Sequence, residues 1–154
     1  MPGNRASMER PGLVLPGNEA PLVSEATVYV VDDEADVLRA LSRLLRCEGR
    51  SATPSAHALA FLGHMQPDTK GCVVLDLSMP ELDGLAVQRL LSEKGCTLPV
   101  IFLSGNADAV ASASAMQQGA NDFLSKPVDA EVFLRAVRSA LEADRLVRDA
   151  GHAQ

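Results

Sequence analysis

Three aspartates, one serine and one lysine stand where apolar runs of this chain break off. Asp32 and Asp33 close Thr27–Val31, Asp76 closes Cys72–Leu75, Ser104 closes Leu98–Leu103, and Lys126 comes just after Asn121–Leu124. Carboxylates gathered in one place repel: at about 4 Å and an effective dielectric near 20, each pair costs roughly 4 kcal/mol. A proton or a cation must relieve that repulsion. Hard oxygen donors with an open, hydrated side suit Mg²⁺ (or Mn²⁺), which keeps several waters and shares its shell with a phosphoryl group. A lysine and a hydroxyl on the other side offer charge and a donor to phosphoryl oxygens. An aspartate in such a place can be the nucleophile that forms an aspartyl-phosphate. Singly, each residue reads blandly, as a solvated loop, a helix cap or a turn. The conjunction, in order and at the ends of runs, is what points to phosphoryl chemistry.

The elements that must position these groups alternate along the chain. Cys72–Asp76 is a continuous apolar run ending in a carboxylate, the pattern of a strand buried on both faces. Pro80 cannot extend a ladder, and Asp83-Gly84 signals a turn and a helix start. Thr27–Val31 is a first strand, followed by an amphipathic helix over Ala35–Glu48. Val37, Leu38, Leu41, Leu44 and Leu45 share one face of it and Arg39, Arg43 and Arg46 the other. Ser51–Thr53 reads as a poor strand, tolerable before Pro54 only at a sheet edge. A short helix over Ala56–Met65 should turn Ala58, Leu59 and Leu62 inward, and a further one covers Leu85–Glu93. Leu98–Leu103 is the fourth strand. The helix predicted over Asp108–Gln118 has a thin face of Val110, Ala113 and Met116. Asn121–Leu124 is the last strand, and Asp129 caps a final helix expected to end near Leu141. Strands alternating with helices at this spacing require right-handed crossovers and a doubly wound parallel sheet with helices on both faces. Parallel strands place their carboxyl ends on one edge, so the dispersed polar residues become neighbours there.

Composition narrows the function classes. A chain of 154 residues with 47% hydrophobic content can bury a single-domain core. Its net charge of −6 argues against nucleic-acid binding by this chain. No apolar run reaches the roughly 18 residues of a membrane span, and a cytoplasmic location is expected. Cys47, Cys72 and Cys96 lack paired spacing and read as reduced core or near-core thiols. Residues 1–25 hold four of the nine prolines and three of the eleven glycines, a composition expected of a flexible extension. Residues 26–143 should form the domain and 144–154 a C-terminal tail.

The motifs V-V-D-D-E, V-L-D-L-S-M-P-E-L-D-G-L, V-I-F-L-S-G and A-N-D-F-L-S-K-P together resemble a response-regulator receiver domain of two-component signalling, from Val28 to about Leu141. The spelling is most similar to receivers that precede a LuxR-type helix-turn-helix. The resemblance implies a flavodoxin-like fold with strand order 2-1-3-4-5. It implies Asp76 as phosphoacceptor, Asp33 as a direct Mg²⁺ ligand, Asp32 acting through a metal-bound water, and the Ser78 carbonyl as a further ligand. Ser104 and Phe123 would be the switch residues, Lys126 the lysine that pairs with the phosphoryl group, and Lys126-Pro127 a cis bond. The partner would be a histidine kinase or phosphotransfer protein, with homodimerisation through the fourth helix, fifth strand and fifth helix on phosphorylation. Phe123 departs from the commoner tyrosine, and Arg50-Ser51-Ala52 is more polar than a usual second strand.

Three classes of function stay open at this point. The leading one is a phosphoryl-accepting switch that is not a turnover enzyme, with an output that includes transcription if a DNA-binding domain belongs to the full protein. A phosphatase with an aspartyl-phosphate intermediate would want an aspartate two residues after the nucleophile, where Ser78 stands. A degenerate receiver serving only as an interaction module would not need Asp76, Ser104 and Lys126 intact.

Overall fold

The computed structural model describes residues 26–80, 82–105 and 109–152. The extension over residues 1–25 and the predicted helix start at Asp108 lie outside them. Ten elements alternate: β1 (Thr27–Val31), α1 (Ala35–Cys47), β2 (Ser51–Ser55), α2 (Ala58–Gly63), β3 (Gly71–Asp76), α3 (Gly84–Glu93), β4 (Val100–Ser104), α4 (Ala109–Gln117), β5 (Asp122–Ser125) and α5 (Ala130–His152). The five strands form one sheet in the order β2-β1-β3-β4-β5, every neighbouring pair parallel. This is the flavodoxin-like order expected from the resemblance.

Alternation along the central strands divides the core in two. Val28 and Val30 of β1, Cys72 and Val74 of β3, and Ile101 and Leu103 of β4 pack with Leu41 and Leu45 of α1 and Phe133, Val137 and Ala140 of α5. Val31, Val73, Leu75 and Phe102 point the other way, against Phe61 and Leu62 of α2, Val87 and Leu91 of α3, and Ala115 of α4. Removing each such aliphatic or aromatic side chain from water contributes about 1.5–3 kcal/mol. Both faces of β3 are therefore dry, and it is buried along its whole length.

Several local expectations need correction. β2 does not stop before Pro54: it runs to Ser55 with Pro54 in register with Val30, which the outer position of β2 allows. In α2, which runs only over Ala58–Gly63, Leu59 is exposed and Phe61 is buried in its place, because Ala58, Phe61 and Leu62 share one face at i, i+3 and i+4 and Leu59 falls off it. Among the described side chains of α4 Ala115 is buried, while Ala113 and Met116 are exposed; the side chain of Val110 lies outside those described. Cys47 is exposed on α1, whereas Cys72 and Cys96 are buried, and all three are free thiols.

The largest difference is α5, which continues past Leu141 to His152 instead of giving way to a tail. Its last turns are held by polar contacts. Asp144 is buried, and its Oδ2 accepts from the Gly71 amide at 3.0 Å and from Arg148 Nε at 2.9 Å. Arg148 also donates to the Thr69 carbonyl. Gly71 itself has a φ of 130°, and a Cβ there would lie 1.8 Å from the Thr27 carbonyl oxygen, so only glycine fits. The far end of α5 thus fastens the start of β3. No helix among the described residues is long and apolar enough to cross a membrane.

Candidate phosphoryl and metal site

Each polar residue singled out above lies at the carboxyl edge of the sheet. Asp76 is the last residue of β3, paired with Leu103 on β4, and Ser104 is the next residue of that neighbour. The Leu77 amide donates to the Leu103 carbonyl at 2.8 Å, so the chain stays in ladder register one residue past Asp76 before turning away. The Lys126 amide donates to the Ser104 carbonyl at 2.8 Å, which ties the lysine to β4 from the end of β5. The Lys126-Pro127 bond is cis. Beneath the site, Gly84 opens α3 with the Asp83 carboxylate capping the Ala86 amide at 2.8 Å. A Cβ on Gly84 would come within 2.8 Å of the Phe102 ring and 2.9 Å of the Asp76 carbonyl oxygen. The helix can approach β3 this closely only without a side chain.

Asp32, Asp33 and Asp76 each present a carboxylate oxygen, and these lie within 4.8 Å of one another. Asp32 is 0% exposed and Asp76 3%, while Asp33 faces solvent. Such a group suits a cation that is wet on one side. The buried Oδ2 of Asp32 lies 2.8 Å from the Lys126 ammonium. Three carboxylate oxygens gathered beside one ammonium leave the cluster short of positive charge, and such hard donors fit a hard cation. Beside the cluster opens a cleft of about 260 Å³, lined by Asp33, Ala56, His57, Met79 and Pro80.

Burial, followed by the negative charge of Asp32, pushes the Asp76 carboxyl up to about 6; the Lys126 charge and the Ser78 amide, 3.4 Å from Oδ1, act in the opposite sense. For Lys126 burial acts downward, yet hydrogen bonds to Asp32 and Glu34 and the charges of Asp32 and Asp76 raise it above the ordinary lysine range. The ammonium stands 2.7 Å from Glu34 Oε1, 2.8 Å from Asp32 and 3.6 Å from Asp76 Oδ1. Glu34 is the contact that sequence reasoning passed over. Its signal was available as the third consecutive acid after β1, which the sequence reading carries only as the last letter of V-V-D-D-E.

Phe123 is half-buried on β5, with its ring centroid 6.4 Å from that of Phe102. It lies on the strand that follows α4, in register with Phe102. Ser78 is exposed just past Asp76.

A family model described as response regulator receiver domain matches residues 28–138. The chain belongs to the response-regulator receiver family. It is similar to the response regulator protein TmoT of Ectopseudomonas mendocina, 43% identical over 118 residues, which cover 77% of this chain and 54% of TmoT. To the transcriptional regulatory protein TdiR of Thauera aromatica it is 44% identical over 124 residues, 80% of this chain and 55% of TdiR. The receiver chain thus spans about half the length of these curated relatives. Among solved structures, the response regulator StyR matches with a TM-score of 0.79 at 34% identity, over 84% of this chain and 65% of that one. The FixJ-N structure matches at 0.70 and 35% identity, over 76% and 94%. The receiver is a two-component signalling domain, and receivers of its family interact with histidine kinases.

Proposed function

We propose that this receiver takes a phosphoryl group onto Asp76 from a phosphohistidine of a sensor kinase or phosphotransfer protein. The observation that carries this is the placement of a buried carboxylate at the end of β3, with Asp32 and Asp33 oxygens within 4.8 Å and a lysine ammonium 3.6 Å away. In the transfer, an Asp76 oxygen attacks phosphorus, the P–N bond of the donor breaks, and the imidazole nitrogen keeps the bonding pair. Asp32, Asp33, Asp76 and the Ser78 carbonyl would hold Mg²⁺. When bound, the ion neutralises charge on the transferring phosphoryl oxygens. Lys126 supplies positive charge to those oxygens, and the ladder bonds at Leu77 and Lys126 hold the backbone that carries the acceptor and the lysine.

The added phosphoryl group brings about two negative charges and must bias an element with two close-lying arrangements. Ser104 would turn its hydroxyl to a phosphoryl oxygen and Phe123 would follow it inward. α4 is the element to move: Ala115 is its described buried side chain, and small side chains bury little area. The α4-β5-α5 face, with Met116 and Val132 exposed, would then pair in a two-fold homodimer. Transcriptional control is the output this reading favours, through a segment outside this chain, in a cytoplasmic protein whose receiver does not itself bind nucleic acid.

Incubating the full chain with acetyl phosphate and Mg²⁺, followed by intact mass, tests the assignment. One phosphoryl adduct, absent from Asp76→Asn, is the expected result. Sustained turnover with no adduct would mean a phosphatase, and no reaction would mean a degenerate receiver.

A further inference from the structure

Of the three carboxylates around the Lys126 ammonium, two are buried and one is not. Asp32 and Asp76 are 0% and 3% exposed; Asp76 is paired within the sheet, and the Asp32 amide, one residue past β1, donates to the Ser55 carbonyl at 3.1 Å. The Glu34 side chain is 59% exposed, yet makes the shortest of the three approaches, 2.7 Å. Its backbone is anchored, because its amide donates to Asp32 Oδ1 at 2.8 Å and its carbonyl accepts the Leu38 amide at 3.1 Å. The side chain alone can therefore swing away while the start of α1 stays put.

We propose that Glu34 is a positioning residue: its carboxylate restrains the Lys126 ammonium beside Asp32, at 3.6 Å from Asp76, until the incoming phosphoryl group draws the lysine across. This rests on the phosphoacceptor reading of Asp76 and adds to it what sets the readiness of the lysine. The contact is suited to release. An ion pair with one exposed partner is weak and screened by salt, whereas a phosphoryl group offers about two negative charges in a dry setting. Asp32 cannot serve as the releasable partner, since turning its fully buried carboxylate away would leave it unpaired. Removing the Glu34 charge should shift Lys126 towards Asp76 and the donor, and lower the repulsion that an anionic donor meets at this edge.

The test compares the full chain with Glu34→Gln and Glu34→Asp. The chain has three lysines, Lys70, Lys94 and Lys126, so the ε-methylene NMR signal of Lys126 can be assigned by substitution. Glu34→Gln is expected to move that signal before any donor is added. It should also raise the rate of adduct formation from subsaturating acetyl phosphate by about two- to fivefold, a gain that shrinks at high salt. Glu34→Asp should stay near wild type in both readouts. An unmoved Lys126 signal, or a Glu34→Gln rate at or below that of wild type, overturns the proposal. Should wild type form no adduct, the phosphoacceptor reading fails instead, while the Lys126 signal still decides the Glu34 contact.

Discussion

Replacing Asp76 by asparagine should stabilise the domain, and by an amount that depends on pH. Asp76 ends a strand buried on both faces, and its carboxyl rises from 3.8 to about 6, first through burial and then through the charge of Asp32. The folded state therefore keeps a proton there that the unfolded chain gives up between about pH 4 and 6. Stability from this group is greatest below the unfolded value and is lost as pH climbs through the folded one. Once the carboxylate is ionised the loss is on the order of 3 kcal/mol. The rise to about 6 is already net of the Lys126 charge, and asparagine, nearly isosteric and uncharged, escapes the burial cost but keeps only a weaker polar contact with its neighbours. The net gain at neutral pH should thus be about 1–3 kcal/mol, read as a rise in melting temperature of about 5–10 °C. Urea denaturation of both proteins without divalent metal, at neutral pH and near pH 4, measures it. The two curves should converge at the acid end. A variant no more stable than wild type at neutral pH, or a difference that does not vary with pH, would refute the argument that Asp76 is held under electrostatic stress.

Three further outcomes are expected. Asp33→Ala should weaken Mg²⁺ binding about tenfold or more, because Asp33 is the solvent-facing member of the cluster, and titration followed by amide shifts would show it. Lys126→Ala should still accept the phosphoryl group but lose phosphorylation-dependent pairing, which light scattering of the modified protein can follow. Asp144→Ala leaves the Gly71 amide and the Arg148 guanidinium without their carboxylate and should cost about 1–3 kcal/mol; hydrogen exchange should then quicken first at Gly71 and in the last turns of α5.

How much of this was legible from residue order varies with the physics of each element. β3 and β4 were readable because strands covered on both faces must be apolar throughout, so a carboxylate or hydroxyl at their ends stands out. That is why Asp76 and Ser104 could be placed at a shared edge without coordinates. α2 was misjudged because six residues make less than two turns, too few for periodicity to choose between Leu59 and Phe61. Among the described side chains of α4 the inward one is Ala115, and a stripe of alanines and serines carries almost no phase information. The extension of α5 was hidden for a different reason. Its inward groups there, Asp144 and Arg148, are charged, so the apolar stripe ends while the docked helix does not. Glu34 escaped because its role lies in a contact 92 residues away along the chain, with Lys126.

Pro54 has a bearing on how the molecule behaves in a crowd. β2 is one rim of the sheet, and rims offer unpaired backbone groups on which another strand can grow. A proline in the middle of that rim removes a donor at the position where a visiting strand would seek one. The opposite rim, β5, is only four residues long. Neither border is a good template, so copies meeting edge to edge gain little from zipping together, and growth of the sheet into fibrils is discouraged at both sides.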